Sequence, residues 1–316
     1  MKHGACRSSG VRAASARVMQ NPNRVPAVSV VVPCYNGGRF IDDLLACLQA
    51  QTFRNFELII VDDGSTDDTP AKLATLDRSI QVVRQTNAGP GAARNAGFSR
   101  ARAELIFILD CDDTVEPTFL EKTVGAIQAA DRAVGFVFTH ERKIGHRTQI
   151  NRCYYKLFDQ LFINRVPCCM VVRREAWEAV GGFDASMRDG YEDWEFTIRL
   201  GRAGYSGLVV PKVLFNYRTR DDGLMMSRST YMHGTLWRRI REKHRAAFRL
   251  PALLKLWWQT RSAHGQLGLP QALAILAIAT FAPNSWFTAF THFVRSRRIN
   301  PEAHKSAVSA HSGRRS

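Results

Sequence analysis

The sequence predicts an α/β fold in which a mostly parallel sheet is flanked by helices. Short apolar runs rich in Val, Ile and Leu alternate with segments of helical pattern, as in consecutive βαβ units. Hydrophobic residues make up 45% of the chain, which is enough for a large core and too much for a disordered protein. Three of the apolar runs end directly in polar residues, at the edge where open α/β sheets bind their ligands.

Five strands and four helices are predicted between residues 28 and 139. The strands are residues 28–32, 57–61, 80–83, 105–109 and 134–139, and Pro33 ends the first of them. The first helix, residues 39–50, carries an apolar stripe, and the second is capped by Asp67 or Asp68. Pro90 starts the third helix and Pro117 opens the fourth, because proline is favoured in the first turn of a helix.

The charge of the chain is concentrated at its two ends. Lys and Arg total 44 and Asp and Glu total 28, a formal net charge of +16. Residues 1–27 hold five basic and no acidic side chains, residues 28–223 hold 24 basic and 26 acidic, and residues 224–316 hold 15 basic and two acidic. We therefore expect a disordered basic leader (1–27), a nearly neutral catalytic domain (28–223) and a basic, partly apolar helical extension with a disordered tail (224–316). An organelle transit peptide is the alternative for the leader.

The seven cysteines are scattered and form no C-x-x-C pair. This spacing argues against a disulfide framework or a zinc site and favours a reducing, cytoplasmic location. The leader contains no apolar run of signal-peptide length. No motif of a nucleic-acid-binding module is present either, so nucleic acid is not an expected partner.

Polar residues cluster where three of the predicted strands end. They are Pro33-Cys34-Tyr35-Asn36, Asp62-Asp63 and Asp110-Cys111-Asp112. Turn residues are often Asp or Asn, but carboxylates gathered at neighbouring strand ends repel one another unless a cation offsets their charge. A G-x-G-x-x-G turn is missing after the first strand and no P-loop motif occurs, which argues against hydride-transfer and ATP chemistry.

Four motifs in order resemble the family-2 glycosyltransferases, which have the A-type nucleotide-sugar fold. They read VSVVVPCYNG from residue 28, ELIIVDDGSTD from residue 57, NAGPGAARNAG from residue 87 and ILDCDD from residue 108. The segment 173–184 and Glu192-Asp193-Trp194 are similar to the acceptor half of the family. The resemblance covers residues 28–220 and implies a nucleotide-binding half at 28–115 and an acceptor half at 116–223.

The resemblance implies inverting transfer of a sugar from a nucleoside diphosphate donor, with UDP as the expected nucleotide and Mg²⁺ or Mn²⁺ as cofactor. Pro33 and Tyr35 match the positions that hold the nucleoside, with Tyr35 offering an aromatic face to the base. Asp63 matches the carboxylate that accepts from a uracil-type N3–H. Asn87 and Gly89 shape the loop beside the nucleotide, and Arg94 reaches base or phosphate unless it is a solvated helix arginine.

Asp110-Cys111-Asp112 resembles the D-x-D element of the family. By resemblance Asp112 is the metal ligand and Asp110 contacts ribose, or the metal through water; Asp113 could substitute for either. A hard cation suits carboxylate oxygens and not a thiolate at Cys111.

Asp193 matches the base that deprotonates the acceptor hydroxyl, with Glu192 as second candidate and a helix N-cap as the structural alternative for Asp193. Tyr217-Arg218, with Ser227 beyond, resembles the segment that closes over the diphosphate, where Arg218 could clamp a phosphate.

The extension beyond residue 223 lies outside the resemblance. A basic helix is predicted over 237–249 and an amphipathic aromatic patch over 251–258, while 262–294 carry no Lys, Arg, Asp or Glu. A helix over 271–282 would be about 18 Å long, short of the ~30 Å hydrocarbon core. We expect an interfacial anchor on an anionic membrane, with a helical subdomain packed on the enzyme as the alternative.

The chain is thus predicted to be an inverting glycosyltransferase that extends a cell-surface glycan or a lipid-linked acceptor, cytoplasmic and peripheral at the inner face of the cell membrane. A sugar-phosphate nucleotidyltransferase is the alternative enzyme, but it would need a Gly-rich loop with a Lys or Arg after the first strand. A non-catalytic nucleotide- or glycan-binding scaffold is the alternative from another class. Without any metal-ligand spacing, His140, His146, His233 and His244 are expected at the surface or in loops.

Overall fold

One sheet of nine strands runs through the part of the chain that the computed structural model describes, residues 25–145, 148–220, 229, 231–261, 267–281, 283 and 285–289. The strands are β1 (Val28–Cys34), β2 (Phe56–Asp62), β3 (Gln81–Arg84), β4 (Leu105–Ile108), β5 (Thr114–Val115), β6 (Val134–Gly145), β7 (Gln149–Asn151), β8 (Met170–Arg173) and β9 (Ser206–Thr219). The helices are α1 (Ile41–Gln49), α2 (Thr69–Ala74), α3 (Pro90–Arg100), α4 (Phe119–Ala129), α5 (Leu157–Gln160), α6 (Arg174–Ala179), α7 (Glu192–Arg202), α8 (His233–Lys243), α9 (Leu250–Thr260) and α10 (Leu269–Phe281).

The first half of the sheet is parallel, with strands in the order β3-β2-β1-β4. The prediction that Pro33 ends β1 is wrong, because the strand continues to Cys34. Pairing with β4 stops at Val31 opposite Ile108, whereas pairing with β2 continues to Cys34 opposite Asp62. A proline without an N–H is tolerated where the ladder on one side has ended.

The second half of the sheet is mixed. The order continues β8-β6-β9-β5, with β8 antiparallel to both β4 and β6, β9 parallel to β6, and β5 antiparallel to β9. The predicted fifth strand is longer than expected and reaches Gly145. The parallel arrangement therefore holds for the nucleotide half, and the acceptor half departs from it.

The strand order reverses direction between β1 and β4. From β1 the chain adds β2 and β3 on one side and then returns to add β4 on the other. At such a reversal the loops that follow the two neighbouring strands run to opposite faces of the sheet. A crevice therefore opens between the carboxyl ends of these strands. Cys34 ends β1, and Asp110 to Asp112 follow β4, so the predicted site residues border this crevice.

Helix α3 packs directly on β1. A Cβ on Gly97 would lie 2.3 Å from Cγ1 of Val31, so only glycine permits this approach. Val31, Ile59 and Ile106 form the core on this face together with Phe98 and Phe196, while Val30 and Val32 point into the core on the other face. The close packing brings Arg94, one turn before Gly97, towards the end of β4.

A third core cluster joins the acceptor half to the C-terminal helices. It includes Trp194 of α7, Trp237 of α8 and Leu253 of α9, all nearly fully buried. The predicted basic helix and aromatic patch correspond to α8 and α9, and both contribute to the enzyme's core, which favours the alternative of a packed helical subdomain for them. The expected boundary at residue 223 lies outside the described residues, as do most of the leader, Ser227 and the tail from residue 290.

Two of the four histidines are not where the sequence analysis put them. His233 and His244 are buried, with 2% of each residue exposed. His233 forms a hydrogen bond with Tyr191, which immediately precedes α7, and His244 forms one with Glu195 of α7. His140 is half-buried in β6, and His146 lies outside the described residues.

Helix α10 has 13 residues. Among the described helices none has the length and apolar character needed to cross a membrane. Several large apolar side chains of α9, α10 and the segment after it are exposed. They are Leu250, Leu254, Trp258, Leu273, Phe281 and Trp286.

Candidate active site

The loops after β1 and β2 are bound to each other and leave Tyr35 accessible. Asn36 has a left-handed backbone (φ 50°), its side-chain oxygen accepts a hydrogen bond from the Thr66 N–H at 2.8 Å, and its own N–H donates to Oγ of Ser65 at 2.9 Å. Tyr35 is 51% exposed, whereas Pro33 is buried within β1. The exposed ring of Tyr35 is accessible to a ligand, and the contact of Tyr35 and Pro33 with a nucleoside stays a prediction.

Asp63 holds the loop that precedes α3. Its carboxylate accepts hydrogen bonds from the N–H groups of Ala88 (2.9 Å) and Gly89 (2.8 Å) and from Nε2 of Gln85 (2.7 Å). Because the residue is buried and three protein donors engage it, its observed function is to position the loop. Direct contact with a uracil N3–H stays a prediction.

The loop residues Asn87 and Gly89 meet the acceptor half at Arg188. Nη2 of Arg188 donates to the backbone oxygen of Asn87 at 3.0 Å and to its side-chain oxygen at 2.8 Å. Gly89, at φ 92° and ψ 167°, is the N-cap of α3, a conformation that side chains disfavour. Arg188 was missed by sequence reasoning, since it lies in no motif.

Arg94 is buried, with 3% of its side chain exposed, so the alternative of a solvated helix arginine is wrong. Its guanidinium donates to Oδ1 of Asp110 at 2.8 Å and forms an ion pair with Glu192. Arg94 thus connects the strand-end carboxylate of the nucleotide half with the start of α7, and its contact with a base or phosphate stays a prediction. The close packing of α3 at Gly97 explains this inward position.

Asp110 and Asp112 lie at the crevice with 29% and 20% of their side chains exposed. Oδ2 of Asp112 is paired with Arg220 at 2.9 Å. Burial, and next the charge of Asp110, raise the pKa of Asp112. Asp113 points inward and accepts the N–H of Arg218 at 2.8 Å, so the idea that it replaces either neighbour as a ligand loses support.

Cys111 is buried in the same core cluster as Cys34. A Cβ on Gly37 would lie 2.5 Å from Sγ of Cys111 and 2.9 Å from Sγ of Cys34. A hydrogen bond with Cys34, and burial after it, raise the pKa of the Cys111 thiol well above its usual range. A protonated, inward-facing thiol leaves the two carboxylates as the outward groups of the D-x-D element.

The donor set suits a hard divalent cation. Asp110 and Asp112 offer carboxylate oxygens from one turn. The pKa of Asp112 is raised by burial and, second, by the charge of Asp110, and a bound cation would offset both effects. Within the described residues no group of three or more ligating side chains comes together. The remaining ligands of such a cation would come from the diphosphate and water, as is usual for Mg²⁺.

Arg218 and Arg220 frame the D-x-D turn from the end of β9. Nε of Arg218 donates to the backbone oxygen of Asp112 at 2.8 Å, and its Nη2 pairs with Asp43 at 2.9 Å. Both guanidinium groups lie over the ring of Phe40, at 5.3 Å and 4.9 Å from its centre. Sequence reasoning found Arg218 and missed Arg220, although residues two apart on an extended chain point the same way.

Asp193 is the second residue of α7, not its N-cap. With Asp193 as the N-cap the helix would start at residue 194; it starts two residues earlier, and the N-cap is Tyr191. Burial, and after it the charge of Glu192, raise the pKa of Asp193 to about 7, although Arg94 opposes the shift. Nδ2 of Asn164 donates to Oδ2 of Asp193 at 3.4 Å, a contact from a loop without any sequence signal.

The acidic groups of both halves form one continuous arrangement. Asp110 is joined to Glu192 through Arg94, and Asp193 follows Glu192 in the same helical turn. Glu192 is committed to its ion pair and buried, so Asp193 is the better-placed base of the two. The site therefore combines a carboxylate-bearing turn after β4 with a carboxylate that is able to take a proton near neutral pH.

The chain as a whole is similar to known proteins. The sequence model of glycosyl transferase family 2 matches residues 29–181. The uncharacterized glycosyltransferase YwdF of Bacillus subtilis is 30% identical over 234 residues, which are 69% of this chain and 84% of YwdF. The chain belongs to glycosyltransferase family 2. Other relatives match over shorter segments: ExoO, a succinoglycan biosynthesis protein of Rhizobium meliloti, is 39% identical over 110 residues, 34% of this chain and 32% of ExoO.

Solved structures confirm the A-type fold of this family-2 member. TarS of S. aureus, solved with UDP-GlcNAc, has a TM-score of 0.58 and 20% identity, covering 86% of this chain and 88% of that chain. The mannosyltransferase PcManGT of Pyrobaculum calidifontis, solved with GDP-Man and Mn²⁺, has a TM-score of 0.53 and 20% identity, covering 88% of each chain. At this identity the likeness concerns the fold.

Proposed function

We propose that this glycosyltransferase is an inverting enzyme that uses a nucleoside diphosphate sugar, UDP-linked, to extend a glycan or a lipid-linked acceptor of a cell-surface polysaccharide. The observation that carries the proposal is the connection from Asp110 through Arg94 and Glu192 to Asp193. It puts a base of near-neutral pKa beside a turn suited to a diphosphate-bound cation. The names of two similar proteins, one for succinoglycan biosynthesis and one solved with UDP-GlcNAc, support the pathway and the donor.

In the proposed reaction a carboxylate oxygen of Asp193 takes the proton of the acceptor hydroxyl. The hydroxyl oxygen forms a bond to the anomeric carbon on the face opposite the diphosphate, and the bond from that carbon to the diphosphate oxygen breaks. The nucleoside diphosphate leaves, and the configuration at the anomeric carbon is inverted. A base whose pKa lies near the working pH is the most effective one, which the burial of Asp193 provides.

On the donor side, Tyr35 faces the base, and the Asn87–Gly89 loop, held by Asp63, lies beside the nucleotide. Asp112 and Asp110 would hold Mg²⁺ or Mn²⁺. Such a cation, when bound, neutralises the charge that develops on the leaving diphosphate. Arg218 would turn from the D-x-D backbone to the same phosphates, since a guanidinium recognises phosphate oxygens by paired hydrogen bonds.

The proposed enzyme acts at a membrane surface. The exposed apolar side chains of α9, α10 and the segment after it, together with the basic extension, would hold the enzyme against an anionic membrane surface. The inner face of the cell membrane is the surface where nucleotide sugars and such lipids meet. Nucleic acid has no place in this proposal.

A donor screen tests the function directly. The full chain is incubated with UDP-, GDP- and dTDP-sugars and Mn²⁺ or Mg²⁺, and release of the nucleoside diphosphate is measured. We expect release from a UDP-sugar that stops on addition of EDTA, and loss of that release in Asp112→Asn with an unchanged circular dichroism spectrum.

Asp131→Asn, at an exposed turn, is the matched control and should behave as the unaltered chain. Full activity of Asp112→Asn, or activity that EDTA leaves undiminished, would contradict the metal assignment. Release from none of the donors under any condition would contradict the function.

A further inference from the structure

The turn that precedes α7 is conformationally unusual. Tyr191 has a left-handed backbone, with φ 67° and ψ 12°, and only 6% of the residue is exposed. A bulky L-residue rarely adopts this backbone conformation, which persists where the surrounding structure enforces it. Tyr191 stands two residues before Asp193, so the same turn sets the direction in which the first helical side chains point.

The C-terminal extension is what surrounds this turn. The hydroxyl of Tyr191 and Nδ1 of His233, the first residue of α8, form a buried hydrogen bond of 2.8 Å. Ser229 donates from Oγ to the backbone oxygen of Asp189 at 2.7 Å, and a Cβ on Gly190 would lie 2.2 Å from that Oγ. Both contacts come from beyond residue 223, where the likeness to the family motifs ends.

Aromatic packing fixes His233 in place. Its ring is stacked on Trp194 of α7, with centres 6.2 Å apart, and on Phe287, with centres 5.8 Å apart. Further along, Glu195 of α7 is fully buried and accepts from Lys243 at 2.7 Å and from His244 at 3.1 Å. Helix α8 is thus attached to α7 at both of its ends.

We propose that Tyr191 and His233 are positioning residues for catalysis: α8 holds Tyr191 in its left-handed conformation and thereby orients Asp193 towards the acceptor hydroxyl. The inference rests on the proposed function, in which Asp193 is the base. Neither side chain touches the reacting atoms, and neither belongs to the donor side of the site. A displacement of a catalytic group by about 1 Å can cost on the order of 10² in rate, so release of this turn is expected to lower kcat specifically.

The principal test is Tyr191→Phe, which removes the hydroxyl and keeps the ring. We expect kcat for sugar transfer to fall roughly tenfold, while the dissociation constant of UDP, measured by calorimetry, stays within twofold. Tyr155→Phe is the matched control, because the hydroxyl of Tyr155 also donates to α7, to the backbone oxygen of Thr197 at 3.1 Å, but further from Asp193. It is expected to keep kcat.

A second pair of variants separates an effect on catalysis from a general loss of stability. His233→Asn places a polar side-chain atom near the position of Nδ1 and should recover part of the kcat that His233→Ala loses, at an equal or lower melting temperature. The proposal is overturned if Tyr191→Phe keeps its kcat, if it loses no more than Tyr155→Phe, or if UDP affinity falls in parallel with kcat. An Asp193→Asn variant as active as the unaltered chain would instead overturn the proposed function, so the two failures are distinguishable.

Discussion

The carboxylate of Asp193 is the residue whose environment has the clearest chemical consequence. Its pKa is raised to about 7, by burial and then by Glu192, and a base must be deprotonated to act. We therefore expect kcat to rise with pH through about 7 and to level off above it. Asp193→Asn cannot accept the proton, so kcat should fall by ~10²–10⁴, while donor affinity barely changes. Steady-state kinetics across pH 5.5–9, in ~0.5-unit steps, and UDP titrations measure both effects.

The raised pKa of Asp193 also predicts that the stability of the fold decreases as pH rises, whereas kcat increases. The folded chain binds a proton at Asp193 up to about pH 7, whereas the unfolded chain releases it near 3.8. Stability linked to this group is therefore complete below the unfolded pKa and is lost as pH rises through the folded one. Asp193→Asn should raise the melting temperature at pH 8 more than at pH 5. Equal changes at both values would show that Asp193 is not proton-linked.

Single residues also show where sequence reasoning ends. Asp63, Arg94 and Asp193 were found from their motifs, but the partners of Arg94 could not be. The contact between Arg94 and Glu192 spans both halves of the domain, and a contact of that separation has no local pattern. The left-handed Tyr191 was equally hidden, because nothing in its side chain favours that conformation.

Between elements, Arg94 is the bridge whose loss should matter most. Arg94→Met leaves Asp110 and Glu192 without their shared cation, and breaking a buried ion pair from one side costs about 3–5 kcal/mol. Urea denaturation measures the change. Arg132→Met is the matched control, since Arg132 and Glu175 form an exposed pair at 3.2 Å and such pairs contribute about 0–1 kcal/mol.

A loss for Arg94→Met no larger than that of the control would mean that the two halves are held together elsewhere, for instance by Asn95. Nδ2 of Asn95 donates to the backbone oxygen of Phe183 at 2.8 Å, and its Oδ1 accepts the Phe183 N–H at 2.8 Å. These bonds also run from α3 to the acceptor half. The double variant would then separate the two contributions.

The elements of the nucleotide half were predictable because their apolar runs are short and bounded by turn residues. The extension was not predictable in the same way. Leu236, Trp237 and Ile240 form the buried face of α8. Because basic side chains surround them in the sequence, the pattern predicts a helix exposed at the surface. Packing against α7 decided its position, and no pattern within α8 identifies that partner.

For the whole molecule, charge and exposed apolar surface predict binding to anionic membranes. The full chain should bind vesicles containing phosphatidylglycerol at low salt and lose most of that binding as salt screens it. The double substitution of Leu254 and Trp258 by Glu should remove the salt-resistant remainder, because both side chains are exposed on α9. Sedimentation with vesicles measures it.

Ile150→Glu is the matched control for this experiment, since Ile150 is a large exposed apolar side chain on β7 and is not part of the extension. Truncation after Asp222 is not a clean test, because it would remove Trp237 and Leu253 from the third core cluster. If the full chain does not bind anionic vesicles at low salt, the membrane proposal is wrong and the extension is a packed subdomain only.

The overall architecture was predictable from the alternation of strands and helices. The prediction was less complete for the second half of the sheet. There β8 inserts between β4 and β6, and β9 returns parallel to β6. Strands so distant along the chain are joined by long connections, and which strands pair depends on the whole fold. The sequence of a single segment does not encode its pairing partner. The edge with the site residues was predictable because parallel strands end on one side.

The reversal of strand order has a consequence for how the molecule is made. β1 ends at Cys34 and β4 begins at Leu105, yet they are neighbours in the sheet. A growing chain that has emerged only as far as β3 therefore presents Tyr35 without Asp110 and Asp112 beside it. The turn at Tyr191 gains its partner later still, when His233 follows. Because contacts distant in sequence form slowly, the donor side matures first during synthesis, and the catalytic base becomes fixed only once α8 has been added.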